Sequence, residues 1–378
     1  MKFAHLGDLH LGMSLHHVRM AEEQSYILDQ IVTILAEEKP DALLIAGDVF
    51  DKAVPSAEAV VLLDGFLSKL ADMHMETFII AGNHDSGDRL AYAGSLLAKQ
   101  GIHIVGNYTG KLVGYEMQDG YGSVHVWSLP FIRPSYVNRY MPSDPAGDYT
   151  EAVIKAVGTG NVDETQRNVI LSHQFVTGAV TSPEGSEQLT VGGLDQVSAE
   201  AYAKFDYVAL GHIHSFQQIK EDRIVYSGTP LKYSFSEQND IKAVQFVELK
   251  EKGNVSTYRR QLVPLHEMRT LKGKYEDLLE QGRQDPHQDD YLRVILTDDE
   301  EIDQAVRHLR TIWPNILRLD YDNARTKALQ EDMPEPEEDK TPLEVCRDFY
   351  EGRHHAGWSG RQQEIMQELI AKIWEEEE

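Results

Sequence analysis

The sequence predicts an α/β protein with a parallel sheet at its centre. The strongest observation is the segment 43–51, LLIAGDVFD, in which a short apolar run ends in glycine and two carboxylates follow. An apolar run of this length, bounded by a turn signal, is typical of a strand that is buried on both faces. The second observation is that such strands alternate with amphipathic helical patterns over residues 2–105. This alternation is the signature of parallel crossover units.

The pattern of a strand followed by polar residues recurs at four other places in the chain. Open α/β sheets place their ligands at the carboxyl ends of their strands. We therefore expect the polar residues that follow the strands to form one cluster above one sheet edge. The five groups are Asp8 with His10, Asp48 with Asp51, Asn83 with His84 and Asp85, His173, and His212 with His214.

The remaining elements of the first part of the chain follow from periodicity and turn signals. Apolar residues at helical spacing favour helices, and Pro55-Ser56-Ala57-Glu58 is typical of a helix start. Short alternating runs separated by glycine favour antiparallel strands. We predict helices over 21–38, 56–70, 88–100 and 150–157, antiparallel strands within 108–131, a surface loop over 133–148, a long loop over 177–193, and strands over 223–230, 243–249 and 255–258.

Changes in composition divide the chain into segments. The sheet-like pieces close a first domain at residue 265, and two strands at 291–296 and 316–319, with a helix over 300–312 between them, predict a small β-α-β domain. Prolines and acidic residues then form a linker composition. The predicted segments are 1–265, 266–329, a linker at 330–342 and a helical tail at 343–378.

The tail carries an amphipathic helix with one apolar stripe. A helix beyond a flexible linker has little of its own chain to bury such a stripe against, so it either docks onto a partner or folds back onto the body. The residues that we predict to bind a partner are Ile365, Leu369, Ile373 and Trp374.

The bulk composition favours a soluble, cytoplasmic protein. The hydrophobic share of 41% and the charged share of 26% are ordinary for a globular chain. No apolar run approaches the ~20 residues of a membrane span, and a strand at the first residues leaves no room for a signal peptide. The single cysteine, Cys346, excludes an internal disulfide and fits a reducing compartment.

The formal net charge of −26 limits the ways in which the protein could bind DNA. The charge is spread unevenly: residues 331–378 contain 15 Asp and Glu against 5 Lys and Arg, a net charge of −10, and the other −16 is spread over the 330 residues before them. A protein that holds DNA unaided is usually basic, because neutralisation of phosphates dominates affinity. The charge therefore argues against a chain that grips a duplex alone, but it does not exclude phosphodiester chemistry.

The residues at the strand ends favour a dinuclear metal centre. Taken singly, each group has an ordinary explanation, such as a turn at 82–85 or a hydrogen-bonded core histidine at His173. Together they offer more oxygen and nitrogen ligands than one tetrahedral ion can take, and they suit two ions about 3.5–4 Å apart that share a carboxylate. A water shared by two such ions becomes a nucleophile near neutral pH. The candidate ligands are Asp8, His10, Asp48, Asn83, His173, His212 and His214.

These motifs resemble a known family. Asp8-x-His10, Gly47-Asp48-x-x-Asp51, Gly82-Asn83-His84-Asp85, His173 and Gly211-His212-x-His214 together resemble the complete motif set of the calcineurin-like metallophosphoesterases. The segments HLGDLHLG at 5–12 and YSGTPL at 226–231 resemble, more narrowly, the SbcD family, the nuclease subunits of bacterial SbcC–SbcD complexes. The similarity is specific through about residue 235, whereas the small domain and the tail agree in order and size.

The resemblance implies a fold and a site. The fold would be an α+β sandwich with a calcineurin-like metallophosphoesterase core, a small β-α-β capping domain and a helical C-terminal tail. One ion, usually manganese in this family, would take Asp8, His10 and His214. The second would take Asn83, His173 and His212, with Asp48 bridging the two. His84 would protonate the leaving oxygen, and Asp51 would orient the His84 ring. Asp51 could also be an acidic residue at a helix start. Asp85 would either support the neighbouring ligands or close a turn.

The resemblance also implies a function. The chain would be a Mn²⁺-dependent DNA nuclease, an ATP-dependent double-strand 3′–5′ exonuclease and a single-strand or hairpin endonuclease in DNA repair, recombination and replication. It would act as a homodimer within a heterotetramer with the coiled-coil ATPase SbcC, which would bind the tail. His16, His17 and Arg19 are candidates for contacts with DNA. The alternatives are a stand-alone phosphodiesterase or phosphatase for small substrates, and a non-catalytic scaffold.

Overall fold

The computed structural model describes residues 1–181, 195–220, 223–323, 343, 346–347, 350 and 357–375. These residues fall into two units. The first contains the described residues of Met1–Thr270 together with Asp289–Arg293, and the second contains those of Leu271–Gln288 and Val294–Glu378.

The strands of the described residues are β1 (Lys2–Leu6), β2 (Ser14–Leu15), β3 (Val18–Arg19), β4 (Ala42–Ala46), β5 (Glu76–Ile80), β6 (Ile102–Val105), β7 (Val113–Asp119), β8 (Gly122–Leu129), β9 (Arg167–His173), β10 (Tyr207–Gly211), β11 (Gln217–Lys220), β12 (Ile224–Tyr226), β13 (Ala243–Leu249), β14 (Val255–Gln261), β15 (Met268–Gly273), β16 (Tyr291–Leu296) and β17 (Ile316–Tyr321). The α-helices are α1 (Ala21–Glu38), α2 (Ala57–Asp72), α3 (Gly87–Leu90), α4 (Gly94–Leu97), α5 (Pro134–Asn138), α6 (Tyr149–Gly158), α7 (Tyr275–Gly282), α8 (Ala305–Leu309) and α9 (Gly360–Glu375).

The first unit is built on two six-stranded sheets. The first sheet has the order β14-β13-β1-β4-β5-β6. Its strands β1, β4, β5 and β6 run parallel, β13 is antiparallel to β1, and β14 is antiparallel to β13. The second has the order β11-β12-β10-β9-β8-β7, with parallel β12, β10, β9 and β8 between antiparallel edge strands. The expected α+β sandwich is therefore the observed fold.

The core lies between the two sheets. One apolar cluster combines Phe3, Leu44 and Phe78 of the first sheet with Val169 and Ala209 of the second. A second cluster covers the other face of the second sheet and includes residues of α6. Strands that are buried on both faces read as continuous apolar runs, which is why β4 is so clear in the sequence.

The expectation of a single sheet edge is wrong. The strands that precede Asp8, Asp48 and Asn83 belong to the first sheet, whereas those that lead to His173 and His212 belong to the second. The sequence shows where a strand ends, but strand pairing depends on contacts between distant residues. The polar residues follow the carboxyl ends of both sheets.

Several predicted elements are confirmed and several are corrected. The helix over 21–38 has the predicted bounds, and α2 begins after Ser56, whose side chain accepts a hydrogen bond from the Ala59 amide. The helix predicted over 88–100 is instead divided into α3, α4 and a short 3₁₀ turn, because Ala93 adopts a left-handed φ of 59°. The loop predicted over 133–148 contains α5, which starts at Pro134.

The second unit has more elements than the predicted β-α-β pattern. The sheet after residue 265 has the order β15-β16-β17, and α7 also precedes β16. The helix predicted over 300–312 is limited to α8, because Gln304 has a φ of 51°. Trp313 is fully buried, and its indole nitrogen donates a 2.9 Å hydrogen bond to Asp285.

The tail helix α9 is present. The Ser359 amide donates to the Gln362 side chain at 2.9 Å, which is a cap at the start of the helix. Two residues of the predicted apolar stripe, Ile365 and Leu369, are 43% and 48% exposed. Several predicted features lie outside the described residues: the side chains of Ile373 and Trp374, the linker at 330–342, most of the loop at 177–193, and half of residues 343–350 at the start of the tail. None of the described helices is long and apolar enough to cross a membrane.

Candidate metal centre

Five strand ends bring the predicted ligands to one place. Asp8 and His10 follow β1, and their amides donate 3.0 Å hydrogen bonds to the carbonyls of Gly47 and Asp48 after β4. Likewise, the His212 amide after β10 donates to the Asp8 carboxylate at 2.8 Å. The hydrogen bond from the His212 amide to the Asp8 carboxylate thus joins the ends of the two sheets at the site.

One group of side chains contains Asp8, His10, Asp48 and His214. The Nε2 atoms of His10 and His214 lie 3.1 Å apart, and His10 Nε2 lies 3.8 Å from Asp48 Oδ2. Asp8, His10 and Asp48 each offer a ligand atom, and these atoms lie within 4.8 Å of one another. All four side chains are buried. This group offers a set of donors that could surround a single cation.

A second group shares Asp48 with the first. His173 Nε2 lies 3.3 Å from Asp48 Oδ2 and 3.0 Å from Asn83 Oδ1. His212 Nδ1 lies 3.0 Å from the same Asn83 oxygen. The seven residues therefore converge as two groups with Asp48 common to both.

The electrostatics of the two groups fit divalent cations. Asp8 and Asp48 are at most 2% exposed, and in the described part of the chain no lysine or arginine pairs with either carboxylate. Burial, partly offset by His173, raises the pKa of Asp8 to about 7. Burial lowers the pKa of His10 and of His212 to about 3, so these rings are neutral ligands at pH 7. Buried carboxylates with neutral imidazoles need added positive charge, which metal ions supply.

The ring of His173 is oriented by the backbone. Its Nδ1 donates a 2.8 Å hydrogen bond to the Ala46 carbonyl, so that Nε2 faces Asp48 and Asn83. A histidine that ligates a metal usually donates its other ring nitrogen to such an acceptor. The donor chemistry, the burial and this orientation together fit a pair of metal ions.

The backbone at the site is locally strained. Asp8, His10, Asp48 and His212 have φ angles of 54°, 44°, 47° and 101°, in the left-handed region that side chains other than glycine rarely adopt. Such strain persists only where surrounding contacts hold it, and it concentrates at functional sites. Gly82 permits the close packing, since a Cβ atom there would overlap the Asp48 carboxylate.

His84 lies at the edge of the first group. Its ring centroid is 5.0 Å from that of His10, and its amide donates a 2.9 Å hydrogen bond to Asp48 Oδ1. His84 Nδ1 donates to the main-chain carbonyl of Asp51 at 2.9 Å. Asp51 therefore contacts His84 as predicted, but through its backbone, whereas its carboxylate lies 4.0 Å from His10 Nδ1.

Asp85 has a structural role that the sequence left open. Its carboxylate accepts hydrogen bonds from the amides of Val49, Phe50 and Gly82 at 2.9–3.1 Å. It thereby fastens the loop after β4 to the loop after β5. Burial and the neighbouring Asp48 raise the pKa of Asp85 to about 6. The local sequence shows the turn but not these partners.

The three candidates for DNA contact form a separate feature. His16 and His17 occupy the turn between β2 and β3 with φ angles of 44° and 73°, and Arg19 follows in β3. All three side chains are exposed. They form none of the ligand groups described above.

Comparisons with known proteins identify the family. A model of the calcineurin-like phosphoesterases matches residues 1–216. A second model, SbcD_C, described as the type 5 capsule protein repressor C-terminal domain, matches residues 264–354.

Three solved structures are similar at 13% sequence identity. Two are proteins of Thermus thermophilus, which cover 68% and 70% of this chain and 98% and 100% of their own, with TM-scores of 0.40 and 0.38. The third is a dimetal phosphatase from Danio rerio, which covers 70% of this chain and 96% of its own with a TM-score of 0.41.

The match to the first model covers more than half of the chain and includes all seven candidate ligands up to His214. The calcineurin-like phosphoesterases are hydrolases that use divalent metals. The chain therefore belongs to the calcineurin-like phosphoesterase family, and its two matched segments make it an SbcD-like protein.

Proposed function

We propose that this protein is the nuclease subunit of a DNA-processing complex and hydrolyses phosphodiesters with two divalent ions, which we take to be Mn²⁺. The observation that carries the proposal is the pair of ligand groups that share Asp48, with His84 beside them. Two ions held by ligand groups that share a carboxylate would suit the in-line displacement of a phosphodiester oxygen.

The residues of each group have defined roles. Asp8, His10 and His214 would hold one ion, Asn83, His173 and His212 the other, and Asp48 would contact both. When bound, the ions supply Lewis acidity to the phosphate and lower the pKa of water. The buried carboxylates would balance the charge of the ions, and the neutral rings of His10 and His212 have a nitrogen lone pair free for ligation.

His84 is the proposed general acid. Because Nδ1 donates to the Asp51 carbonyl, Nδ1 carries a proton whether the ring is neutral or charged. Nε2 is therefore the atom that gains or loses a proton. A proton on Nε2 can pass to the leaving oxygen. Asp51 holds the ring in position through its carbonyl, and its carboxylate adds negative charge beside His10.

The SbcD_C match supports DNA as the substrate. We infer the double-strand 3′–5′ exonuclease and the single-strand or hairpin endonuclease activities, dependent on ATP through SbcC, in cytoplasmic DNA repair, recombination and replication. The exposed turn at His16 and His17, with Arg19, is the proposed DNA contact. A partner that supplies further positive surface would account for how a chain of net charge −26 handles a polyanion.

The proposed assembly is a homodimer of this chain within a heterotetramer with SbcC. Exposed apolar side chains on α2 and near α3 and α4 support pairing of two copies, among them Val60, Val61, Tyr92 and Leu96. The tail, 343–378, would bind SbcC through the stripe that contains Ile365, Leu369, Ile373 and Trp374. We retain 1–265, 266–329 and 330–342 as the proposed catalytic domain, capping domain and linker.

Cleavage of hairpin DNA with Mn²⁺ tests the proposal, with and without SbcC and ATP. Bis(p-nitrophenyl) phosphate tests the alternative of a stand-alone phosphodiesterase. We expect cleavage of the hairpin, and a fall of roughly 10²–10⁴-fold for His84→Ala with metal binding retained. His125→Ala, which alters a histidine on β8, is the matched control and should cleave like the wild type.

Two results would contradict the proposal. Hydrolysis of the small diester without any cleavage of DNA, even with SbcC and ATP, would favour the stand-alone enzyme. Full activity of His84→Ala would remove this histidine from the mechanism while leaving the metal centre intact.

A further inference from the structure

The YSGTPL segment at 226–231 lies against the main chain of a proposed ligand. The His214 carbonyl accepts hydrogen bonds from the Thr229 amide at 2.9 Å and from Lys242 Nζ at 3.0 Å. Gly228, with a φ of 73°, allows this approach, because a Cβ atom there would overlap the same carbonyl. The segment therefore fixes the backbone of His214.

A buried ion pair lies on the other side of the His214 ring. Glu237 and Lys242 are 0% and 6% exposed, and Lys242 Nζ lies 2.6 Å from Glu237 Oε2. The second carboxylate oxygen, Oε1, lies 3.8 Å from His214 Nδ1 and accepts a 3.0 Å hydrogen bond from Ser234. The pair is thus in contact with His214 through both its side chain and its backbone.

The donors and acceptors of this pair are matched. The ammonium of Lys242 donates to Glu237, to Thr229 Oγ1 at 2.9 Å and to the His214 carbonyl. Thr229 Oγ1 in turn lies 3.2 Å from Glu237 Oε2. A buried ion pair contributes little to stability compared with well-packed apolar residues, because desolvation of the charges offsets their attraction. A role in positioning His214 would account for the presence of this buried ion pair.

This arrangement affects the tautomer and the basicity of the His214 ring. The Glu237 carboxylate, 3.8 Å from Nδ1, lies beyond direct hydrogen-bond distance, but its negative charge favours the proton on this nearer nitrogen and the lone pair on Nε2. His214 Nε2 lies 3.1 Å from His10 Nε2, inside the first ligand group. The same carboxylate increases the basicity of the ring toward a cation at Nε2.

We propose that Glu237 and Lys242 are positioning residues for the ion held by Asp8, His10 and His214. Glu237 sets the tautomer and orientation of the His214 ring, and Lys242 holds both the Glu237 carboxylate and the His214 carbonyl. The inference rests on the proposed dinuclear centre, but it does not depend on DNA being the substrate. Neither residue belongs to the motifs by which the sequence identifies the site.

Direct measurement of Mn²⁺ binding tests this inference. The full chain is titrated with Mn²⁺ by calorimetry, and the bound metal is counted after dialysis. We expect the wild type to bind two ions. Glu237→Gln should lower the affinity for one ion by about 10–100-fold and leave the affinity for the other unchanged, since loss of a group that orients a ligand has an effect of this size.

A double variant protects the test against misfolding. Glu237→Gln removes the nearer carboxylate partner of Lys242 and leaves Asp240 Oδ2, at 3.4 Å, as its remaining ion-pair partner. Glu237→Gln with Lys242→Met removes both buried charges at similar volume, a change that proteins often tolerate. The double variant should fold, as judged by circular dichroism, and should show the same selective loss of one ion.

Asp119→Asn is the matched control. Asp119 forms a 2.5 Å ion pair with the buried Arg167, at the start of β9 and about 20 Å along this strand from His173. This variant should lose stability but keep the wild-type affinity for both ions. It separates a general cost of breaking an ion pair from an effect on the metal centre.

The outcomes are distinguishable. Wild-type affinity for two ions in both the single and the double variant, or an equal loss at both ions, would overturn the positioning role. A wild type that binds two ions but does not cleave DNA would defeat the proposed nuclease and leave this test valid. A wild type that binds no divalent ion would defeat both.

Discussion

His173 is a protonated ring at pH 7, beside the carboxylates of Asp48 and Asp8. Burial opposes protonation of this ring, but the carboxylates of Asp48 and Asp8 outweigh burial and raise its pKa to about 9. His173 in turn holds the pKa of Asp48 well below its usual range, despite the burial of that carboxylate. The charged ring thus occupies the position at which a cation would compensate Asp48.

Metal binding should therefore release protons. Below pH 9 an ion that takes His173 Nε2 must displace a proton, so Mn²⁺ affinity should rise as the pH increases from about 7 to 9. We expect release of at least about one proton per chain at pH 7, because the pKa of Asp8 is also raised, to about 7. Calorimetry in buffers of different ionisation enthalpy measures this number. Binding with no change in protonation would show that His173 is not a ligand.

At the scale of elements, the site depends on how loops are fastened to one another. Asp85 joins the loop after β4 to the loop after β5 through three buried amides. The ligand Asp48 lies in the first of these loops, and Asn83 and His84 lie in the second. Relative placement of the two loops, more than the geometry within each, sets the distance from Asp48 to its neighbours.

Removal of this fastening should cost stability and metal affinity together. Asp85→Ala leaves the amides of Val49, Phe50 and Gly82 without their acceptor, and we expect the free energy of unfolding to fall by about 2–4 kcal/mol. Urea denaturation and Mn²⁺ titration measure the two effects. Asp88→Ala, which removes an exposed carboxylate bonded to the Asn107 side chain, is the control, with an expected change of about 0.5 kcal/mol or less. Equal stabilities of the two variants would contradict the assigned role.

At the scale of the whole molecule, all candidate ligands belong to one of the two units. Residues 8–214, which contain the seven ligands and His84, lie in the first unit, as do Glu237 and Lys242. The second unit has a buried core residue of its own in Trp313, which packs against Gly282 and bonds to Asp285. The metal centre and this second core can therefore be perturbed separately.

Truncation of Trp313 should affect folding of the second unit and spare metal binding. Loss of a fully buried indole costs about 3–5 kcal/mol, so Trp313→Ala should lower the unfolding temperature of this unit in scanning calorimetry. Mn²⁺ stoichiometry should stay at the wild-type value. Trp127→Ala, the same change in the first unit, is the comparison and should destabilise the unit that holds the ligands. Loss of Mn²⁺ binding in a folded Trp313→Ala protein would show that the ligand site requires the second unit.

Local sequence determined where strands end and which side chains follow them. Apolar runs that stop at glycine or serine predict where the strands end, because burial on both faces and the following turn are properties of neighbouring residues. Asp8, Asp48, Asn83 and His212 follow their strands as expected, and His173 is the last residue of β9. The bounds of α1 and the cap of α2 at Ser56 are equally local. The chemical types of the ligands, and hence the interpretation as a metal centre, were readable from the same segments.

Only the tertiary structure decided how these segments meet. The five strand ends are divided between two sheets, so the site brings together residues that are distant along the chain. The same is true of the contacts of Asp85 and Glu237, and His84 contacts Asp51 through a backbone carbonyl. The left-handed residues Ala93 and Gln304 also interrupt helices that periodicity extends, since α4 and α8 begin only after them. A periodic pattern records which face of an element is buried, but strand pairing and side-chain partners depend on contacts across the packed core, and the sequence pattern contains no signal for these.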